Sequence, residues 1–322
     1  MATNTKFELK KGAATRKAFG DALLELARKD DRVVVCDADL SKSTMTYGFS
    51  QEFPERFFSC GIAEANMVGI GAGLAAAGKV AFVSSFSCFL LNKGFEQLRV
   101  AVAYPGVKNF IAVGTHSGIS IGEDGPSQMS VEDLSLACAL PGFIVLAPAD
   151  EVAMRVMVPL VAAHGGPAFI RAGRPNVPIV YSEGQHFEIG KAVRLTDGSD
   201  VTIIAMGLMV AEAIRAQETL AAEGLSARVL DMHTIKPLDR DAIATAAAET
   251  GAIVVAEEHL ADSGLGVRVA QVVAETQPAV MEFVGVQNTY AESGTPAGLL
   301  EKYGLVAANV AAAARKAVSR KR

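Results

Sequence analysis

Short apolar, β-branched runs alternate with helix-length stretches along most of the chain, and nothing else in the sequence restricts the fold as strongly. Runs at 32–36, 80–84, 109–113, 143–147 and 167–171 read as strands. Helical stretches at 13–28, 64–77, 94–104, 131–139 and 151–163 separate or flank them. In the first of these, Phe19, Leu23, Leu26 and Ala27 recur at i, i+4, i+7 and i+8, the period of one helix face. Strands apolar on both faces with helices between them predict a parallel, doubly wound α/β sheet, whose ligands collect beyond the strand C-termini. That rule nominates 37–43, 82–89, 115–128 and 171–176.

A polar, proline-bearing segment at 175–189 reads as a linker, after which the alternation restarts. Strands are expected at 200–205, 227–231, 252–256 and 280–284, with helices near 209–223, 239–249, 265–276 and 306–319. The division is therefore a domain over 1–185 and a smaller doubly wound one over 186–322. A chain of 322 residues is long enough for two such cores.

The formal net charge of −5 argues against non-specific nucleic-acid binding, which draws on basic surface. The closing basic cluster (Arg315, Lys316, Arg320, Lys321, Arg322) suits the C-terminal end of a helix dipole. Cys36, Cys60, Cys88 and Cys138 form no C-x-x-C pair, which fits reduced thiols in a cytoplasmic protein better than a disulfide or zinc scaffold. The first 17 residues lack a signal-peptide apolar core, and no window is apolar enough to span a membrane.

Several stretches carry possible chemistry. Gly69-Ile-Gly-Ala-Gly73 does not complete G-x-G-x-x-G and follows no strand, so it reads as helix packing rather than nucleotide binding. Glu64 opens an otherwise apolar helix. It is either an acid favoured by the helix dipole or a buried carboxyl sharing a proton with a ligand. Phe82, Phe86 and Phe89 are concentrated in a chain with 15 Phe and no Trp; they are core, or a platform for a planar heterocycle. The polar loop 114–128 carries His116, Glu123 and Asp124 and is stiffened by Gly125-Pro126, a cost in ordering entropy that favours function. Arg16, Ser43 and Arg174 each read alone as surface residues, although converging arginines suit a phosphate.

Taken together these motifs resemble the C-terminal half of transketolases. The matching residues are Ala14-Thr-Arg-Lys17, Asp37-Ala-Asp-Leu-Ser-Lys-Ser43, Gly61-Ile-Ala-Glu64, Thr115-His116, Gly122-Glu-Asp-Gly-Pro126 and Arg174-Pro-Asn-Val-Pro178, with Asp231-Met-His-Thr-Ile-Lys-Pro237 and Glu257-Glu-His259 beyond the linker. The resemblance covers nearly the whole chain. It implies a pyrimidine-binding domain followed by a transketolase C-terminal domain, and thiamine diphosphate as cofactor. The diphosphate-binding motif G-D-G…N is absent from these 322 residues. The resemblance therefore implies one subunit of a split transketolase of carbohydrate metabolism, a homodimer within a heterotetramer. The N-terminal subunit would supply the diphosphate site and its Mg or Ca ion, and this chain would bind no metal itself.

By the same resemblance Glu64 hydrogen-bonds the aminopyrimidine, Phe82, Phe86 and Phe89 form its pocket, and Asp39 lines the cofactor cleft. Arg16, Ser43, His116 and Arg174 hold the sugar phosphate, Asp124 contacts a substrate hydroxyl, and Glu64 and His116 are the catalytic pair. Gln128 stands where many members carry His, so the substrate is not fixed as the usual pentose phosphate. The rival readings are a 2-oxo-acid dehydrogenase beta-type subunit, a deoxyxylulose-phosphate-synthase-like subunit and a non-catalytic assembly subunit.

Overall fold

The computed structural model describes residues 7–321. Met1–Lys6, on which part of the signal-peptide reading rests, and Arg322 of the basic cluster lie outside them. The chain runs β1 (Lys11–Ala14), α1 (Thr15–Ala27), β2 (Val33–Asp37), α2 (Ser41–Thr44), α3 (Tyr47–Glu52), β3 (Phe57–Ser59), α4 (Glu64–Ala76), β4 (Val80–Phe86), α5 (Ser87–Gln97), β5 (Phe110–Thr115), α6 (Asp133–Ala139), β6 (Ile144–Leu146), α7 (Glu151–His164), β7 (Ala168–Arg171) and β8 (Asn176–Pro178). It continues through β9 (Val193–Thr196), β10 (Val201–Ala205), α8 (Met209–Ala222), β11 (Ala227–Asp231), β12 (Thr234–Lys236), α9 (Arg240–Thr250), β13 (Ala252–Leu260), α10 (Leu265–Glu275), β14 (Val280–Val286), α11 (Pro296–Lys302) and α12 (Ala307–Ser319).

The apolar runs that predicted parallel strands form them. β2, β4, β5, β10 and β11 are buried at every residue, as strands covered by helices on both faces must be. The first sheet has the order β12-β6-β7-β5-β4-β2-β3 and the second β14-β13-β10-β11-β9. Only β12 and β9 run antiparallel to their neighbours in these two sheets. β12 comes from beyond the linker yet completes the first sheet on β6. The Lys236 ammonium then donates to the carbonyls of Cys138 and Leu140 at the C-terminal end of α6 (2.9 and 2.6 Å), where a cation suits the dipole.

Three local expectations differ. The helix expected over 94–104 starts at Ser87, directly from the strand, and ends in a π-helical turn over Leu98–Ala103. Phe89 therefore lies in the first turn of a helix. The linker contains β8, which pairs antiparallel with β1, so Ala13 and Ala14, expected to open the first helix, are strand. Short elements with few apolar residues (α2, α3, β3, β9 and α11) carried no period to read. Of the three glycines in 69–73, Gly71 is the close-packed one. A Cβ there would lie 2.3 Å from Val83 Cγ2, while Gly69 and Gly73 face open space. All four cysteines are free. Of the C-terminal basic cluster, Arg315 pairs with Glu223, and Lys316 and Arg320 pair with Glu282. No helix among the described residues is long and apolar enough to cross a membrane.

Between the two halves, the Tyr181 hydroxyl donates to Asp231 Oδ2 (2.6 Å), and Asp231 Oδ1 has no partner. Burial, with Asp150 nearby, pushes the Asp231 carboxyl up to about 8. The native chain thus keeps a proton that the unfolded chain releases near pH 4. Its stabilising effect is full below that value and fades as pH rises to about 8. Asp231→Asn keeps the shape and removes the titration. Its unfolding free energy relative to wild type is expected to rise with pH by up to about 1.4 kcal/mol per unit across this window, measured by urea denaturation at pH 5 and pH 8. Parallel pH profiles would contradict the assignment.

Candidate active site

The four nominated stretches emerge from β2, β4, β5 and β7, which are adjacent in the sheet and end on the same side. At β4, Phe86 is the last strand residue and its ring stacks on the His116 imidazole, 3.7 Å between centroids at 24°. Phe89, in the first turn of α5, lies nearly parallel to Phe86 at 5.6 Å and 11°. One further turn along α5, the Lys93 ammonium lies 4.8 Å from the Phe89 ring centroid and 3.6 Å from Glu64 Oε2. Glu64 is the first residue of α4, where the dipole favours an acid, and is only 3% exposed.

On the other side of Phe86, His116 occupies a left-handed conformation (φ 58°) at the end of β5. Arg16 Nη1 lies 3.1 Å from its Nε2, and Thr115 Oγ1 lies 2.9 Å from its Nδ1. A guanidinium can only donate, so Nε2 accepts and the ring proton sits on Nδ1. Burial and the positive charges of Arg16 and Arg174 push the imidazole down to about 3, so it is neutral at physiological pH. Arg16 Nη1 also donates to the Ser43 carbonyl at 2.7 Å. Thr15 and Arg16 open α1 against Gly173, through Gly173 N to Thr15 Oγ1 (2.7 Å) and Arg16 N to Gly173 O (3.3 Å). This docking brings Arg16 close enough to Arg174 to lower the Arg16 pKa, after burial the largest cause; Asp124 opposes it. Arg174 donates to the Ile121 carbonyl (2.6 Å) and to Glu123 (3.0 Å).

Glu64, bridged to Phe89 by Lys93, then Phe86, His116 and Arg16, with Arg174 within electrostatic reach of Arg16, are scattered over more than a hundred residues and thus form one row. Phe82 is not part of it. It is fully buried against Phe19 (6.3 Å between centroids) and belongs to the core below the platform, because its place mid-strand seals it under α1. Ser43 meets Arg16 through its backbone carbonyl, not its hydroxyl. Asp39 is exposed just past β2 with φ 65° and makes no hydrogen bond or ion pair to the row among the described residues. Asp124 is exposed on the loop. Gln128 is half-buried, and its carbonyl accepts from the Cys88 thiol at 3.2 Å, which ties the loop to α5.

Sequence reasoning missed two groups. Lys93 stands four residues after Phe89, on the same helix face, and that spacing was the available signal. The second is a buried cluster behind the loop. Arg171 donates to Asp133 (2.8 Å) and to the carbonyls of Glu258 (2.8 Å) and Ser130 (3.2 Å), and Ser87 donates to Asp133 (2.9 Å). Glu258 accepts from Ser120 N (2.6 Å), and Gly118, at φ 81°, passes so close to its carboxyl that a Cβ would overlap it. Glu257 accepts from the first N–H groups of α10 at Leu265 and Gly266 (2.7 and 2.8 Å).

An aromatic face beside a buried carboxyl is fitted to a planar heterocycle with a ring nitrogen, and two guanidinium groups beside a neutral histidine are fitted to a tetrahedral oxyanion. Residues 11–180 match the family model for the transketolase pyrimidine binding domain, and residues 190–310 that for the transketolase C-terminal domain. The chain belongs to the transketolase family. It is 42% identical to the 6-deoxy-6-sulfo-D-fructose transketolase subunit of Clostridium sp. (strain MSTE9), over 95% of each chain. It is 39% identical to human transketolase over 95% of this chain but 49% of that one. A solved structure described as a split gene transketolase, inactive beta4 tetramer, superposes with a TM-score of 0.90 at 46% identity, covering 97% of this chain and all of that one. The chain is thus a transketolase subunit of the split kind, a transferase, and its family implies use of thiamine diphosphate. No group of three or more His, Cys, Asp or Glu among the described residues is placed to hold a metal ion.

The tautomer and shift assigned to His116 have a direct readout. Its ring resonances in NMR are expected to stay constant from pH 5 to pH 8 with the proton on Nδ1; a titration midpoint near the usual histidine value would contradict the geometry.

Proposed function

We propose that this chain provides the pyrimidine-facing and substrate-facing half of a thiamine diphosphate site that transfers a two-carbon ketol unit from an anionic ketose to an anionic aldose. The observation that carries this reading is the row from Glu64 to Arg174, with a planar-ring platform at one end and an oxyanion clamp at the other. Once bound, the cofactor supplies the nucleophilic carbon and the electron sink for breaking a carbon–carbon bond next to a carbonyl.

The chain's own residues bind, orient and hold protons. Glu64, buried at a helix N-terminus, holds a proton between its carboxyl and the aminopyrimidine ring nitrogen. Phe86 and Phe89 fix the plane of that ring and keep water from its face. Arg16 and Arg174 bind the terminal oxyanion of the sugar. His116 holds Arg16 in place and, being neutral, adds no charge of its own. Asp124 and Gln128, on the loop over the substrate side, meet sugar hydroxyls, and Asp39 faces the cofactor from the end of β2.

A separate diphosphate-binding subunit completes the site and holds the divalent metal. Similarity over nine tenths or more of both chains to proteins described as a transketolase subunit and a split gene transketolase supports this arrangement. So does Ile62, an apolar side chain 78% exposed two residues before Glu64. The solved relative described as a beta4 tetramer supports self-association of this chain within the assembly. Four free thiols suit a reducing compartment, and this reading places the enzyme in the cytoplasm. The substrate carries phosphate or sulfonate, which present the same tetrahedral oxygens to the two arginines; the sulfo-sugar in the relative's name and Gln128 both favour testing donors beyond pentose phosphates.

The test is ketol transfer by the assembled enzyme with ketose phosphates and a sulfonated ketose as donors, and with pyruvate and a lipoyl acceptor as the control. Glu64→Gln is expected to lower kcat at least about 100-fold. Arg16→Gln is expected to raise KM for the anionic sugar about 10- to 100-fold with a smaller change in kcat. Equal loss for charged and uncharged sugars, or turnover of pyruvate instead, would overturn the reading.

A further inference from the structure

One ammonium group touches both surfaces on which the aminopyrimidine is to rest. Lys93 Nζ is 3.6 Å from Glu64 Oε2 and 4.8 Å from the centroid of the Phe89 ring. A ring stacked on Phe89 and hydrogen-bonded to Glu64 needs those same two positions, so the cation and the ring exclude one another. We propose that Lys93 is a built-in competitor for the cofactor's pyrimidine and gates its entry. The proposal rests on the reading of Glu64 and Phe89 given above and adds to it a control of affinity residing in this chain.

The gate has the properties a competitor needs. Its side chain is 55% exposed, and Glu64 is its only polar partner among the described residues, so the four-carbon stem can carry the charge into water. The contact is a single ion pair backed by one cation–π contact, strong enough to be populated and weak enough to be displaced. Glu64 cannot both hold the ammonium and share its proton with a ring nitrogen. Withdrawal of Lys93 is therefore a condition of productive binding. Apparent affinity is reduced by the fraction of time the pocket is held by Lys93.

The experiment titrates thiamine diphosphate with Mg²⁺ into this chain assembled with its diphosphate-binding subunit, by calorimetry, at low and high ionic strength. At low salt, Lys93→Met is expected to bind about three- to tenfold more tightly than wild type, while Lys93→Arg, which keeps the charge, stays near wild type. Salt weakens the ion pair, so the gap between Lys93→Met and wild type is expected to narrow at high salt, an effect a purely structural role would not give. Equal or weaker binding by Lys93→Met at low salt overturns the gate. Glu64→Gln made in the Lys93→Met background, where no ion pair is lost with it, separates the two levels. Weaker binding there than in Lys93→Met, without a gain in Lys93→Met over wild type, refutes the gate alone, whereas binding equal to that of Lys93→Met refutes the pocket reading and the gate with it.

Discussion

The ion pair between Arg171 and Asp133 holds the rest of the site in register. Both groups are almost fully shielded from water, and Asp133 Oδ2 also accepts from Ser87 at the start of α5. The same guanidinium holds the carbonyls of Ser130, where the loop returns, and of Glu258, from the other half of the chain. A buried charge left without its partner costs about 3–5 kcal/mol, so these elements can move apart only together. The platform helix, the His116 loop and the second domain are thereby fixed to one point.

That point explains how a long polar loop keeps one shape. Glu258 reaches back to Ser120 N, and Gly118 makes room for its carboxyl. His116 is then held at φ 58° between the Phe86 ring and Arg16, an arrangement that buries it without a counter-charge. Its neutrality follows from the same packing that positions it. In the proposed function, two arginines beside an uncharged histidine keep their positive charge for the substrate.

Much of this was legible in the sequence, and the rest was not for physical reasons. Strands buried on both faces announce themselves as β2, β4 and β10 do, because every residue must be apolar or bonded into the sheet. Glu64 stood out as an acid in an apolar helix, and His116 stood out on a costly polar loop. Phe82 and Phe86 are both aromatic, four residues apart on the same strand. Only the packing of Phe19 over one and His116 over the other separates core from site. The meeting of Arg16 and Arg174 depends on α1 docking at Gly173, a contact between residues 158 apart in sequence that no local period records. Lys93 and Arg171 lay outside the nominated roles because each acquires its meaning from a partner on another element.

On the proposed reading the row is a half-site: a platform for a planar ring at one end, a clamp for an oxyanion at the other, with the cofactor's other end left to a second chain. The most direct measurement is thiamine diphosphate binding and ketol transfer by this chain alone and by its mixture with the diphosphate-binding subunit. Saturable cofactor binding and transfer in the mixture, with neither in the isolated chain, is the predicted result. Full activity from the isolated chain would contradict it.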